Sequence, residues 1–261
     1  LVRSRGLGDV YKRQAFSTAE ELSRKLRKQL PYAAYSSVSH YRVPSRREEW
    51  LRAELVFDID ARDLPVRSCA CQPGDVCETC LEDAKDVALT LIETLKADFG
   101  MGHLFLVYSG RGYHVRCSDE NAMAIENRGN IFDYVTGSKV SQDLFMIKGY
   151  SAAFRRMTAL TLSKVKEVAV RGGSNILKNR ESIVDALLTR DRVRLDEIIK
   201  KKALENLLQE VSLLNAESVD GKCTIDIKRI LRLPTSLHSK VSMICTVVEN
   251  WEKFDPLRDA V

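Results

Sequence analysis

The stretch AELVFDID, residues 53–60, decides the fold of this chain. Its polar and apolar residues alternate strongly enough to predict a β-strand. Because successive residues point to opposite faces, the two faces carry Leu55, Phe57, Ile59 and Val56, Asp58, Asp60. Two carboxylates on one face repel each other unless a cation is present, so Asp58 and Asp60 are candidate metal ligands. A solvated strand face is the commoner explanation of such a pair, but the apolar neighbours favour a metal site.

A third carboxylate, Asp226, repeats this pattern in Cys-Thr-Ile-Asp-Ile, within a short strand predicted at 222–227. Three strand carboxylates are the minimum for a two-metal phosphoryl-transfer centre. The basic turn KRILRLPTSLHSK follows directly, at 228–240. Its cations are well placed to neutralise phosphate charge, although such turns are often merely solvated.

The segment Ser109-Gly110-Arg111-Gly112-Tyr113-His114 joins two strands predicted at 103–109 and 113–117. Its glycines allow a tight turn with positive φ, which is typical of a β-hairpin. A hydroxyl, a guanidinium and an imidazole around exposed N–H groups also suit a triphosphate cradle. Taken alone, the segment is better explained as a plain hairpin.

Four of the seven cysteines form a Cys-x-Cys-x5-Cys-x2-Cys cluster at Cys69, Cys71, Cys77 and Cys80. Four thiolates at such spacing suit a closed, structural zinc site. An odd cysteine count without a secretory signal favours a reducing compartment, which makes disulfides the weaker alternative. An iron–sulfur cluster is a further alternative.

Outward from these motifs, strands and helices alternate and predict an α/β or α+β domain. Helices are predicted from Ser17 to about Leu30, across 84–99, from Ser118 to about Val135, and across 195–214. The window 145–205 is helical and basic, with a net charge of +7, and Gly172-Gly173-Ser174 is a candidate flexible joint within it. This window is either a track for a nucleic-acid backbone or a solvated helix face.

Composition sets broad limits. The chain has 261 residues, 44% of them hydrophobic and 30% charged, which excludes a mostly disordered protein. No apolar run is long enough to cross a bilayer, so no membrane partner is expected.

Residues 1–14 have no apolar periodicity and carry +3 of the total +5 charge. They are interpreted as a translated adapter or read-end artefact, which makes 15–261 the domain and implies truncation at both ends.

In their order along the chain, ELVFDID, the cysteine cluster, YSGRGYH and IDIKRILRLPTSLH resemble the small catalytic subunit of archaeo-eukaryotic DNA primase. Each motif alone is modest, whereas the ordered set is highly specific. The compact SGRGYH turn is more similar to the archaeal type. The resemblance implies the primase catalytic fold: a mixed sheet flanked by helices, a zinc knuckle at 69–80 and a helical subdomain at about 140–215.

The resemblance also implies the site residues. Asp58, Asp60 and Asp226 match the metal-binding carboxylates for two Mg²⁺ or Mn²⁺ ions, and the four clustered cysteines match the zinc knuckle. The matched nucleotide-phosphate contacts are Ser109, Arg111, His114, Arg232 and His238, with Lys228 and Arg229 as neighbours. After His238 the sequence departs from the family: Ser239-Lys240-Val241-Ser242 replaces a Gly-Lys-Thr-Gly type of turn.

The implied activity is a nucleotidyltransferase that makes short primers on single-stranded DNA from nucleoside triphosphates during replication. Its expected partner is a large primase subunit in a heterodimer, and its expected location is the nucleoid in the cytoplasm of an archaeal-type cell. The alternatives are a repair or plasmid primase-polymerase, a metal-dependent nuclease, and a non-catalytic zinc-containing nucleic-acid-binding module.

Overall fold

A computed structural model describes residues 2–5, 11–31, 33–72, 74–138, 151–168 and 173–261. The chain divides into two compact units, which we describe separately. Unit 1 comprises Leu1–Asp58, Gly102–Glu126 and Lys222–Val261, and unit 2 comprises Ile59–Met101 and Asn127–Gly221. Part of the expected helical subdomain, at 140–150, and Gly172 of the candidate joint lie outside the described residues.

The described strands lie in unit 1, except that Ile59 and Asp60, at the end of one strand, belong to unit 2. The strands are β1 (Val2–Arg5), β2 (Tyr11–Gln14), β3 (Ala33–Ser37), β4 (Ser39–Val43), β5 (Glu48–Ala53), β6 (Leu55–Asp60), β7 (Leu104–Tyr108), β8 (Gly112–Cys117), β9 (Ile230–Arg232) and β10 (Thr246–Val248). The strand orders are β2-β1-β3-β9, β10-β7-β8-β6 and β4-β5. The ladders with a described register are antiparallel, so the parallel part of the expected mixed sheet is not observed in them.

The strand β6 is confirmed, and it is buried on both faces. Leu55, Val56, Phe57 and Ile59 are almost completely inaccessible, whereas the side chains of Asp58 and Asp60 remain half-buried. The predicted hairpin is also confirmed as β7 and β8, with Tyr108 paired to Tyr113. The first fourteen residues include β1 and β2, which pair with each other, and β1 also pairs with β3. Their interpretation as an artefact stays a prediction.

The helices within the described residues are α1 (Ala19–Gln29), α2 (Glu78–Phe99), α3 (Glu120–Met123), α4 (Arg128–Thr136), α5 (Ala152–Lys164), α6 (Gly173–Lys178), α7 (Arg180–Thr189), α8 (Arg192–Ile198), α9 (Lys201–Glu217), α10 (Gly221–Ile225) and α11 (Pro256–Asp259). None of the helices within the described ranges is long and apolar enough to cross a membrane. The first helix is capped one residue later than predicted: Thr18 accepts from the Glu21 N–H, and the Glu21 carboxylate accepts from the Ser17 N–H.

Unit 2 is built on α2. Leu91, Ile92 and Leu95 on this helix are buried, as the spacing predicts. Gly100 ends the helix in the left-handed conformation, with φ +66°, and its N–H donates to Lys96 O. A second cluster of buried residues joins α5 to α9, with members that include Phe154, Leu162, Ile183, Leu187, Leu195, Leu204, Leu207 and Val211.

Two predicted long helices are each divided in two. The helix expected from Ser118 to Val135 is replaced by α3 and α4, and the helix expected across 195–214 is replaced by α8 and α9. The second break has a clear cause. Ile199 has extended backbone, with φ −137° and ψ 130°, and its side chain is buried. The paired β-branched residues Ile198 and Ile199 disfavour a continuous helix at this point.

The strand predicted at 222–227 is wrong, because this segment forms the helical turn α10 instead. Thr224 is completely buried while the next residue, Ile225, is 53% exposed. The alternation of Thr-Ile-Asp-Ile covers only four residues, which is too short to distinguish a strand from one turn of helix. Asp226 therefore lies just after a helix and not within a strand.

Leu91→Ala is expected to lower the free energy of unfolding by about 2–5 kcal/mol, because it leaves a cavity where the Leu91 side chain is fully buried. The matched control is Lys96→Ala, an exposed position on the same helix, which should change stability by less than about 0.5 kcal/mol. Urea denaturation of both variants measures this difference. Equal losses in the two variants would contradict the assignment of α2 as the core of unit 2.

Candidate functional site

The turn of the β7–β8 hairpin is held by two hydrogen bonds. Ser109 N donates to Gly112 O at 2.9 Å, and the buried Tyr108 hydroxyl donates to Gly110 O at 2.8 Å. Gly110 has a φ of +103°, which side chains of L residues rarely adopt. Burial also raises the pKa of Tyr108 to about 12, so the hydroxyl keeps its proton and remains a donor.

Gly110 lies directly against His238. A Cβ atom at residue 110 would be 2.4 Å from His238 Cβ and 2.9 Å from its Cγ. The glycine turn and the basic turn at 228–240, which includes β9, therefore meet in unit 1, although more than a hundred residues separate them in the sequence. Ser109 and Arg111, on either side of Gly110, are half-buried at this junction.

The side chains of the basic turn are fixed by local contacts. Arg232 is buried, its Nη1 donates to Leu237 O at 2.8 Å, and its guanidinium lies 4.9 Å from the centre of the Tyr35 ring. This ring position follows from the pairing of Tyr35 with Arg232 across β3 and β9. His238 Nδ1 accepts from Lys240 N at 3.2 Å, so in the neutral ring Nε2 carries the proton. Both side chains thus offer positioned N–H donors.

Asp58 lies between an imidazole and a thiol. His114 Nε2 is 3.4 Å from Asp58 Oδ1, and Cys223 Sγ is 3.6 Å from Asp58 Oδ2. Burial, together with the nearby charges of Arg116, Arg232 and His238, lowers the pKa of His114 to about 3. The imidazole is therefore neutral at physiological pH. Because the charges of Arg232 and His238 act on His114, these two candidate nucleotide contacts of the basic turn lie near the imidazole.

A second cross-strand pair lies beside the first. Arg116 donates to Glu54 Oε2 from Nε at 2.8 Å, and both side chains are mostly buried. Glu54 and Asp58 share one face of the chain at β6, and Arg116 and His114 share one face of β8. Sequence reasoning missed this ion pair: Glu54 begins the ELVFDID motif but was not a candidate site residue, and Arg116 lies outside the motifs.

Asp226 is held within its own turn. Its Oδ1 accepts from Lys228 N at 2.9 Å, and its Oδ2 is 3.5 Å from Arg229 Nε. Across the described ranges, no set of three His, Cys, Asp or Glu ligand atoms within 4.8 Å of one another contains Asp226 or Asp60. Asp60, at the end of β6, accepts from Arg62 N at 3.0 Å. The predicted carboxylate triad thus remains a prediction.

The Asp226 turn is attached to the β4–β5 hairpin by contacts that the sequence does not reveal. The buried Ser39 hydroxyl donates to Ile227 O, and Trp50 Nε1 donates to the same hydroxyl at 3.3 Å. Val38 N also donates to Arg229 O at 3.3 Å. The position of Asp226 therefore depends on a hairpin close to the other end of the chain.

The cysteine cluster lies in unit 2 and is assembled as predicted. All four Sγ atoms lie within 4.8 Å of one another, with Cys69 and Cys80 3.2 Å apart and Cys77 and Cys80 3.7 Å apart. Zn–S bonds of about 2.3 Å in a tetrahedron place sulfur atoms about 3.8 Å apart. All the cysteines are free thiols, so the disulfide alternative is wrong for this structure.

The start of α2 adjusts the chemistry of these thiols. Cys77 is the N-cap of α2, and a hydrogen bond from the Cys80 backbone is the main cause that lowers the pKa of Cys77 to about 6. Hydrogen bonds with Cys77 and Cys69 raise the pKa of Cys71 to about 12. Cys77 is therefore largely a thiolate near neutral pH, and the thiolate is the form of cysteine that binds a metal ion.

Comparison with known proteins identifies the family. The family model described as DNA primase small subunit matches residues 57–250. That range contains the cysteine cluster, the hairpin and the basic turn. The chain belongs to the DNA primase small-subunit family.

Relatives of this family span almost the whole chain. It is 41% identical to the DNA primase small subunit PriS of Methanothermobacter thermautotrophicus, over 98% of the chain and 84% of the relative. It is 39% identical to PriS of Methanobrevibacter smithii and 38% identical to PriS of Thermococcus kodakarensis, with similar coverage. The resemblance to archaeal primase small subunits is thereby confirmed.

Gly110→Ala is expected to destabilise unit 1 by more than about 1 kcal/mol, because the left-handed backbone is strained for alanine and the new methyl group meets His238. Gly102→Ala is the control. It lies at the other end of β7, without a positive φ, and the nearest atom to its Cβ would be 4.0 Å away. Chemical denaturation should separate the two variants, and an unchanged midpoint for Gly110→Ala would contradict the contact.

Proposed function

We propose that this primase small subunit is a template-directed nucleotidyltransferase that starts chains on single-stranded DNA by joining two nucleoside triphosphates. Membership of the family gives the chain its role in DNA replication. The observation that carries the reaction type is the contact of Gly110 with His238. It joins two segments rich in phosphate-binding groups, beside the carboxylate of Asp58.

The phosphate contacts are proposed to come from both segments. Ser109, Arg111 and His114 belong to the hairpin, and Arg232 and His238 belong to the basic turn. Phosphoryl transfer depends mainly on positioning and on stabilising negative charge, and no covalent nucleophile is required. Neutral His114 would donate one hydrogen bond to an oxygen without the energetic cost of a second buried cation.

Asp58, Asp60 and Asp226 are proposed to hold two Mg²⁺ or Mn²⁺ ions. Carboxylate oxygens are the ligands that these hard cations prefer. Asp58 and Asp60 are half-buried among inaccessible apolar side chains, where carboxylates are costly unless a cation offsets their charge. When bound, the two ions supply the charge that activates a 3′-hydroxyl and stabilises the leaving pyrophosphate.

The four clustered cysteines are proposed to hold one structural Zn²⁺.

The small-subunit name of the relatives supports a large subunit as the partner in a heterodimer. The DNA template is proposed to follow the basic helices of unit 2, where Arg190, Arg192 and Arg194 stand close together in sequence. A replication role supports a location at the nucleoid of an archaeal-type cell.

Asp58→Asn is expected to reduce dinucleotide synthesis on unprimed single-stranded DNA by at least about 100-fold, because it removes a charged ligand and leaves a side chain of the same size. The assay uses labelled ribo- or deoxynucleotides with Mg²⁺ or Mn²⁺, with the chain alone and with its large subunit. Glu249→Gln, an exposed position just after β10, is the matched control and should keep full activity.

The same assay separates the alternatives. Product from an unprimed template supports a primase, whereas shortening of a labelled strand identifies a nuclease. Binding without product identifies a non-catalytic zinc module. A strong preference for deoxynucleotides favours a repair or plasmid primase-polymerase. Full activity in Asp58→Asn would contradict the metal assignment, whatever the product.

Purified protein is expected to contain about one zinc per chain, since four thiolates complete a tetrahedral site. Elemental analysis measures this content, and Cys77→Ser should lower it. Cys117→Ser is the control, because Cys117 belongs to unit 1 and not to the cluster, and its buried thiol donates to Asp119 Oδ2. A folded protein without metal would overturn the zinc site, and iron in place of zinc would favour the iron–sulfur alternative.

A further inference from the structure

Beside the cysteine cluster, unit 2 contains a buried carboxylate that no motif explains. Asp83 is only 4% exposed, although it is charged in its ordinary state. It lies three residues after Cys80 on α2, so the two side chains share a helix face. A buried carboxylate is costly unless donors surround it, and such groups are retained where their contacts have a role.

The donors to Asp83 come from two separate segments. Ser68, the residue before Cys69, donates from its backbone N to Asp83 Oδ2 at 2.6 Å and from its hydroxyl to Oδ1 at 2.9 Å. Lys164, the last residue of α5, donates to the same Oδ1 at 2.7 Å. The Asp83 carboxylate therefore connects the segment that carries Cys69 with the end of α5.

A closed ring of contacts results. Cys69 and Cys80 are 3.2 Å apart at sulfur, Cys80 is joined to Asp83 through one helical turn, and Asp83 binds the residue next to Cys69. A side chain that fixes the segment carrying a ligand narrows the range of positions the ligand can take. Partners of this kind commonly change metal affinity 10- to 100-fold when they are removed.

A second lysine strengthens the connection to α5. Lys166, two residues beyond the helix, donates to the backbone carbonyl of Cys69 at 2.6 Å. Arg180 of α7 donates to Ser163 O at 3.0 Å and to Val165 O at 3.2 Å, which fixes the end of α5 from the other side. Whatever holds Cys69 in place thus also acts on the end of this helix.

We propose that Asp83 is a positioning residue for the metal bound by the four cysteines, and that Lys164 and Lys166 couple the loaded cluster to helix α5. The inference rests on the zinc site proposed above. Loss of the metal releases Cys69. The hydrogen bonds of Lys164 to Asp83 and of Lys166 to the Cys69 carbonyl then weaken. The order of the end of α5 consequently depends on metal occupancy.

The first test measures zinc retention. Asp83→Asn is expected to release zinc to a chelator 10- to 100-fold faster than the wild type, and Ser68→Ala, which keeps the buried carboxylate, is expected to change the rate in the same direction by less. Asp86→Asn is the matched control. Its carboxylate also accepts from Lys164, at 2.6 Å, but it is 49% exposed and has no described contact with the cysteine loop.

A spectroscopic measurement distinguishes positioning from general instability. With Co²⁺ in place of zinc, the visible spectrum of the four-thiolate site should shift in Asp83→Asn. It should stay unchanged in Leu91→Ala, which weakens the same helix elsewhere. An unshifted Asp83→Asn spectrum together with wild-type zinc release would overturn the positioning role.

Hydrogen exchange tests the coupling. Removal of zinc from the wild type should speed amide exchange at the end of α5, around Lys164, as well as in the cysteine loop. In the double variant Lys164→Met, Lys166→Met the same treatment should affect the loop alone. Unchanged exchange at α5 in a wild type that does contain zinc overturns the coupling and leaves the zinc site intact, whereas a wild type without zinc overturns both.

Discussion

Residue 110 must have no side chain if the hairpin turn is to touch the basic turn, and much of the candidate site depends on this contact. The backbone at Gly110 is left-handed, and the space where a Cβ would stand is filled by His238. Interiors of proteins are too densely packed to absorb such an overlap. The two candidate phosphate-binding segments therefore approach each other only because the smallest residue separates them.

Near this contact, two acidic side chains each have a partner on β8. Asp58 faces the imidazole of His114, and Glu54, just before β6, faces the guanidinium of Arg116 on β8. Glu54 thus balances Arg116 and leaves Asp58 beside a neutral ring. Opposite charges across a strand pair also fix the register, which is what keeps Asp58 opposite the hairpin. The pairing of β6 with β8 therefore both fixes the register and positions the candidate site residues Asp58 and His114.

Local patterns were sufficient to predict β6, the β7–β8 hairpin, α2 and the cysteine cluster, because each is specified by neighbouring residues. The helical turn before Asp226 was predicted as a strand, since four alternating residues fit either structure. The contacts of Ser39 with Ile227 and of Asp83 with Ser68 join residues that no pattern associates. Of the candidate site, the sequence identified the motifs, and the structure was needed to establish that Gly110 meets His238.

The attachment of the Asp226 turn to Ser39 also determines when the site can form. Ser39 and Ile227 are 188 positions apart, and β3 likewise cannot pair with β9 until residues 230–232 have been made. Loops of this length close slowly compared with local hairpins and helices. During synthesis, unit 2 and the β7–β8 hairpin leave the ribosome before the residues that complete this neighbourhood. A nascent chain therefore lacks the complete site until residues 227–238 have been made, and a chain that stops before them never acquires it.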